Sequence, residues 1–204
     1  MKVRQILLFC LIQLACVQAR SQEVPEVVRQ NCVSCHGADG IATQPAMPHL
    51  DGQLEQYLVD TMTKFQKGSL PTEVPNHIAK NLAKGDIQVI AHHYATSKAS
   101  RPPQQVDPDK VAKGETVHRN RCADCHLDNG RDADKDAPLM AAQNLDYMIS
   151  QIKLFVGGKR KFGFLQDDAF KGLSMDELET VAHFFASQEQ YATSSAKGGK
   201  KKRR

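Results

Sequence analysis

A chain of 204 residues has room for one large domain or two small ones, and 41% hydrophobic with 25% charged residues is an ordinary soluble composition. Aromatics make up only 6% and Trp is absent, so a unit of well under 100 residues would have a thin core and would lean on a cofactor, metal or disulfide. The net charge of +4 belongs to the ends: without eight basic residues there, the body holds 19 basic against 23 acidic residues, a net −4.

Residues 1–19 read as a secretory signal peptide. Lys2 and Arg4 form a positive start, Ile6–Ile12 is an apolar stretch, and Val17-Gln18-Ala19 offers small residues for cleavage. An uncleaved anchor is the alternative; a lipidated Cys16 is disfavoured by Gln13. No later stretch is long and apolar enough to span a bilayer.

The remainder repeats. Cys32-Val33-Ser34-Cys35-His36 returns 90 residues on as Cys122-Ala123-Asp124-Cys125-His126, and the same offset carries Gly40, Pro48, Gln53, Tyr57, Phe65 and Gly68 onto like residues. After one inserted residue, Leu82, Ile87, Ile90, Ala91 and Tyr94 match Leu173, Leu178, Val181, Ala182 and Phe185. Register over a whole unit means duplication. The units are expected at 20–97 and 109–191, joined by a Pro-rich extended linker at 98–108 and followed by a basic tail at 192–204 expected to be disordered.

Each unit reads as all-α. A short helix is expected to enter each Cys pair, from about Pro25 and about Lys110. Leu58, Met62 and Phe65, and again Met148, Ile152 and Phe155, mark a middle helix. Ile87, Ile90, Ala91 and Tyr94 fall at i, i+3, i+4 and i+7, and Leu178, Val181, Ala182 and Phe185 do likewise. Ser174 with Glu177 is a capping box for the last helix. Nothing reads as a sheet.

Cys-x-x-Cys followed at once by His is the attachment signature of c-type haem. Two thiols add to the two vinyl groups on one porphyrin edge, and the adjacent His turns its imidazole onto the iron. A thioredoxin-type pair would sit in a βαβ context, and a zinc ribbon sets its Cys pairs about 15–20 residues apart; neither fits.

On these motifs, and on Pro48-His49-Leu50-Asp51-Gly52-Gln53, Lys67-Gly68, Ile78-Ala79-Lys80 and their second-unit counterparts, the chain resembles the tandem class I dihaem cytochromes c. That group includes the haem subunit of flavocytochrome c sulfide dehydrogenase. The resemblance spans roughly residues 24–190. It implies an all-α fold of two tandem class I cytochrome c domains and two covalently bound haem c groups. It also implies electron transfer in the periplasm with redox protein partners, a flavoprotein subunit of a sulfide- or sulfur-oxidising complex among them. Cys32, Cys35, Cys122 and Cys125 are expected to hold the porphyrins and His36 and His126 to be the proximal ligands.

The family usually places an axial Met in the loop before the last helix. Here alignment puts Pro75 there in the first unit and Leu165 or Gln166 in the second, and neither loop contains a Met. His77, two positions on, is favoured as sixth ligand of the first haem, and an imidazole in place of a thioether should lower its potential; the other reading is an exposed loop residue. In the second unit Asp168 takes the place of His77. Lys159 and Lys161 could ligate only as neutral amines. Met140 and Met148 match Leu50 and Leu58 and read as pocket wall or core, and Met175 as packing. The second haem is therefore expected to be open or water-ligated. That motivates an alternative to electron transfer: a haem enzyme, or a gas- or sulfur-ligand-binding protein, using that open site. His92 and His183 lie beside the core stripe, and His49, His93 and His118 are expected at the surface. No nucleic-acid partner is expected of an exported cytochrome, and the basic tail is a solubility tail or touches an acidic partner or anionic membrane surface.

Overall fold

The computed structural model describes residues 23–70, 77–133, 137–161 and 164–191. The expected signal peptide and basic tail lie outside these, as does Pro75. Among the described residues there is no strand; an isolated bridge pairs Arg101 with Gln190, and no helix is long and apolar enough to cross a membrane.

The first unit runs α1 (Glu26–Asn31), α2 (Val33–His36), α3 (Glu55–Gln66), a 3-10 turn (Ile78–Asn81) and α4 (Lys84–Thr96). The second runs α5 (Pro108–Arg121), a short turn α6 (Leu127–Gly130), α7 (Leu145–Val156), α8 (Phe164–Phe170) and α9 (Met175–Ala186). The apolar stripe of α4 is buried throughout, with Ile87 and Ile90 at 2% exposure and Ala91 and Tyr94 at 0%. In α9 its counterparts Leu178, Val181, Ala182 and Phe185 are buried as well. The capping box forms: Ser174 Oγ accepts from the Glu177 amide, and a Glu177 carboxylate oxygen accepts from the Ser174 amide. The helix entering the second Cys pair starts two residues before the expected Lys110, because Asp107 caps the Asp109 and Lys110 amides and Pro108 needs no partner at the first position. Helix α8 falls where only loop was expected.

Each unit has its own core. Val28, Cys32, Leu58, Ile90, Ala91 and Tyr94 form one, and Met148, Val181, Ala182, Phe184, Phe185 and Ala186 the other. The copies differ most at the first helix, six residues in α1 and fourteen in α5. Helix α5 lies so close to α9 that a Cβ on Gly114 would stand 2.0 Å from the Thr180 carbonyl oxygen and 2.9 Å from Phe184 Cβ. Thr180 is 2% exposed; its counterpart on α4, Val89, is 44% exposed, since α1 begins after Pro25 and does not cover it.

The units meet through reciprocal amide bridges. Gln143 accepts from the His49 amide (2.8 Å) and donates to the His49 carbonyl (3.0 Å). Its counterpart Gln53 accepts from the Leu139 amide (3.0 Å) and donates to the Leu139 carbonyl (2.9 Å). Equivalent residues thus make equivalent contacts in both directions, as across a two-fold axis. The linker is extended but not a free tether. Arg101 exchanges both backbone hydrogen bonds with Gln190 (2.7 and 2.9 Å) while its buried guanidinium pairs with buried Asp51 at 3.2 Å.

The α5–α9 crossing gives a direct test. Gly114→Ala should destabilise the protein by about 1–3 kcal/mol through overpacking. Gly85→Ala in α4, with nothing within 4 Å of the new methyl, should be neutral or stabilising by up to about 1 kcal/mol. Denaturant titration of the two variants checks both signs.

Candidate haem sites

The two Cys-x-x-Cys-His segments have the same backbone geometry. The amides of Cys35 and His36 both turn back to the Cys32 carbonyl (3.2 and 2.9 Å), and those of Cys125 and His126 to the Cys122 carbonyl (3.2 and 2.9 Å). One helical turn therefore presents two thiols and an imidazole in a fixed order. All four cysteines are free. Burial pushes the Cys32 and Cys122 thiols up to about 11, so both are protonated at neutral pH.

His36 Nδ1 donates to the Pro48 carbonyl at 2.9 Å. That bond fixes the tautomer and leaves the Nε2 lone pair free to bind a metal. Burial lowers the His36 pKa, and holds that of His126 down at about 4, so both rings are neutral as a metal requires. His126 Nδ1 is buried and outside hydrogen-bonding geometry, although the Pro138 carbonyl is the neighbour that most favours its protonation.

In the first unit His77 is half-buried and stacks on Phe65, ring centroids 4.6 Å apart at 22°. Its Nδ1 accepts from the Ala79 amide at 3.2 Å, which places the ring proton on Nε2, the opposite tautomer to that of His36; ligation through Nε2 requires the ring to give up that bond and move its proton to Nδ1. Its burial and the nearness of His36 both lower its pKa. In the second unit Asp168 is solvent-exposed on α8. The ring that faces Phe155, the counterpart of Phe65, is Phe170, at 6.1 Å. Lys159, Lys161 and Gln166 are exposed; the side chain of Leu165 lies outside the described residues. Met140 and Met148 pack in the second core as Leu50 and Leu58 do in the first, and Met175 is half-buried in the first turn of α9.

Three histidines expected at the surface are buried: His49 (7% exposed), His93 (8%) and His118 (4%). Each is offset by a polar partner. His49 Nδ1 accepts from the Ala42 amide (2.9 Å), and His93 Nε2 and His118 Nε2 donate to the carbonyls of Ala38 (2.7 Å) and His126 (3.2 Å). His92 and His183 do not share an environment. His92 is exposed and pairs with Glu55, whereas His183 is buried beneath α5 and accepts from the Asp107 amide. Asp51 and Gln53 stand in the motif that carries the resemblance, and Arg101 in the linker, without any sign in the sequence of their burial or pairing; for Gln53 and Gln143 a polar pair kept in register by the duplication is the available signal.

The donor set fits haem. Among the described residues no three His, Cys, Asp or Glu side chains gather as a bare metal site needs. One neutral imidazole beside two thiols suits an iron that brings its own four nitrogens in a porphyrin.

No protein-family model matches the chain. It is 32% identical over 138 residues to cytochrome c4 of Pseudomonas aeruginosa, an alignment spanning 63% of this chain and 68% of that one. The chain belongs to the cytochrome c4 family. It is also 27% identical over 179 residues to the thiosulfate dehydrogenase electron acceptor of Thiomonas intermedia, covering 81% of this chain and 82% of the relative. The solved structure of reduced cytochrome c4 from Pseudomonas stutzeri superposes with a TM-score of 0.65 at 26% identity, over 77% of this chain and 93% of that one. As a cytochrome c4 relative the protein is a dihaem c-type cytochrome with covalently bound haem, and its activity is electron transfer.

The buried histidine at position 49 makes the cytochrome acid-sensitive. Its folded pKa, about 4, lies below its ordinary 6.5. The unfolded chain therefore binds the extra proton between those values. Its contribution is complete above pH 6.5 and is lost as the pH falls toward 4, at most about 3 kcal/mol. His49→Asn, which keeps an acceptor for the Ala42 amide, should flatten the stability–pH slope across that window in denaturant titrations.

Proposed function

We propose that Cys32 and Cys35 hold one haem with His36 as proximal ligand, that Cys122 and Cys125 hold the other with His126, and that His77 is the sixth ligand of the first. The domains run 20–97 and 109–191, and the protein works in the periplasm after removal of residues 1–19. The observation that carries this reading is the His36–Pro48 hydrogen bond, which orients a buried, neutral imidazole with one nitrogen to spare.

When bound, each haem supplies a one-electron Fe(III)/Fe(II) couple. The chain's residues do the rest. The thiols tether the porphyrin edges, the Pro48 carbonyl holds the His36 ring, and Phe65 braces His77. Gln53 and Gln143 keep the two sites at a fixed separation. The electron donor is a sulfur-oxidising dehydrogenase. The relative named as the electron acceptor of thiosulfate dehydrogenase, aligned over most of both chains, supports that class; a flavin-bearing sulfide-oxidising subunit is the other member of it.

A second reading concerns the second haem alone. With Asp168 at the surface and the Arg160 guanidinium, not an imidazole, over the Phe155 ring at 4.6 Å, we read that iron as keeping an open position able to take a small ligand.

Mass spectrometry of the mature protein should give two haems, and one haem after joint Cys122→Ser and Cys125→Ser replacement. His77→Ala should convert one low-spin haem to high spin. Carbon monoxide should bind one haem of the reduced wild-type protein and two of the His77→Ala variant. An unchanged spectrum in His77→Ala removes His77 as a ligand, and two low-spin haems inert to carbon monoxide remove the open site.

A further inference from the structure

We propose that Gln143 tunes the iron ligand of the opposite unit, His36, through the one peptide group that joins Pro48 to His49, and that Gln53, whose route to His126 lacks the last hydrogen bond, acts on His126 more weakly. This rests on His36 and His126 being the iron ligands.

The Pro48 carbonyl and the His49 N–H are the two ends of a single conjugated amide. The carbonyl accepts from His36 Nδ1 at 2.9 Å, and the N–H donates to Gln143 Oε1 at 2.8 Å. Both bonds polarise the amide in the same sense, so each strengthens the other. With Gln143 in place the Pro48 oxygen is a better acceptor, the His36 Nδ1–H bond is drawn further toward it, and Nε2 becomes the more basic donor. A more basic axial imidazole favours the oxidised metal. Gln143 therefore holds the potential of the first haem down from across the domain boundary.

The glutamine cannot turn over. Gln143 is 3% exposed. Its Oε1 accepts from two amides, those of His49 and Asn144 (2.8 and 2.9 Å), while Nε2 donates to the His49 carbonyl (3.0 Å). A flipped amide would set its NH2 against two N–H groups. The mirror arrangement joins Gln53 to the Pro138–Leu139 peptide, with Leu139 N–H donating to Gln53 Oε1 at 3.0 Å. There His126 Nδ1 stands outside hydrogen-bonding geometry. The chain of bonds is closed at the first haem and one link short at the second, so the influence runs more strongly from the second unit to the first than in reverse.

The test uses the full-length holoprotein. Each haem is followed by potentiometric titration and by the ferric haem-methyl proton resonances assigned to it. Gln143→Leu removes the acceptor and should raise the midpoint potential of the first haem and move its methyl resonances, leaving the second haem where it was. Gln143→Glu keeps an acceptor oxygen for His49 and, followed through the ionisation of the new buried carboxyl as the pH is raised, should lower the first haem's potential as the charge appears. Gln53→Leu should act on the second haem, and by less. Equal shifts at both haems, a shift confined to the second haem, or no shift in the Gln143 variants overturns the proposal. If the Leu variant does not fold, the Glu variant decides by the presence or absence of a downward shift at the first haem. Retention of the iron–imidazole spectrum in His36→Ala would remove the ligand assignment itself, whereas unmoved potentials with intact spectra sink only the tuning.

Discussion

A buried backbone must have its polar groups paired, and in this protein that requirement converges on the run from Pro48 to Gln53. Its Pro48 carbonyl takes the His36 imidazole, and both polar groups of His49 go to Gln143. The Leu50 amide turns back to the Gly40 carbonyl and the Gly52 amide reaches the Tyr94 carbonyl on α4. Gln53 then crosses to Leu139. One six-residue stretch thus fixes the His36 imidazole, the core helix and the neighbouring unit at once. Gly52 sits at φ +67 with Ala99 Cβ 2.6 Å from where its own Cβ would be, so the linker closes over this stretch only because no side chain is there.

The duplication is faithful where backbone must be satisfied and free where side chains fill space. Leu50 and Leu58 become Met140 and Met148 without leaving the cores. Asp51, by contrast, becomes Ala141, and the cation paired with it is Arg101 from the linker. Several atoms of that pair are buried without hydrogen bonds. A buried ion pair of this kind recovers little of its desolvation cost; what it does is make one linker geometry far better than the alternatives, because an Arg101 that swung away would leave a charge on Asp51 inside the protein.

How far the fold could be read from the chain follows from the range of the interactions involved. The stripes of α4 and α9 and the Ser174–Glu177 cap are local patterns, and they were legible. So were the Cys-x-x-Cys-His turns, whose backbone bonds span three or four residues. The burial of His93 depends on the Ala38 carbonyl 55 residues away, and the bridges of Gln143 and Gln53 on partners 94 and 86 residues away. Polar residues of that kind look like surface residues until their partner is known. Helix α8 is not legible in the same way, because seven residues are too few to display a helical period.

The bridges also bear on what holds the two units together. Gln53 and Gln143 are 4% and 3% exposed, and their four partner groups on His49 and Leu139 are backbone. Parting the units would not simply return four hydrogen bonds to water. It would also pull Arg101 from either Asp51 or Gln190. Each unit lacks what the other supplies, so the separation between the two haem sites is set by buried hydrogen bonds rather than by the length of the linker. For a carrier whose rate falls with the distance an electron must cross, that is the property the duplicated architecture secures.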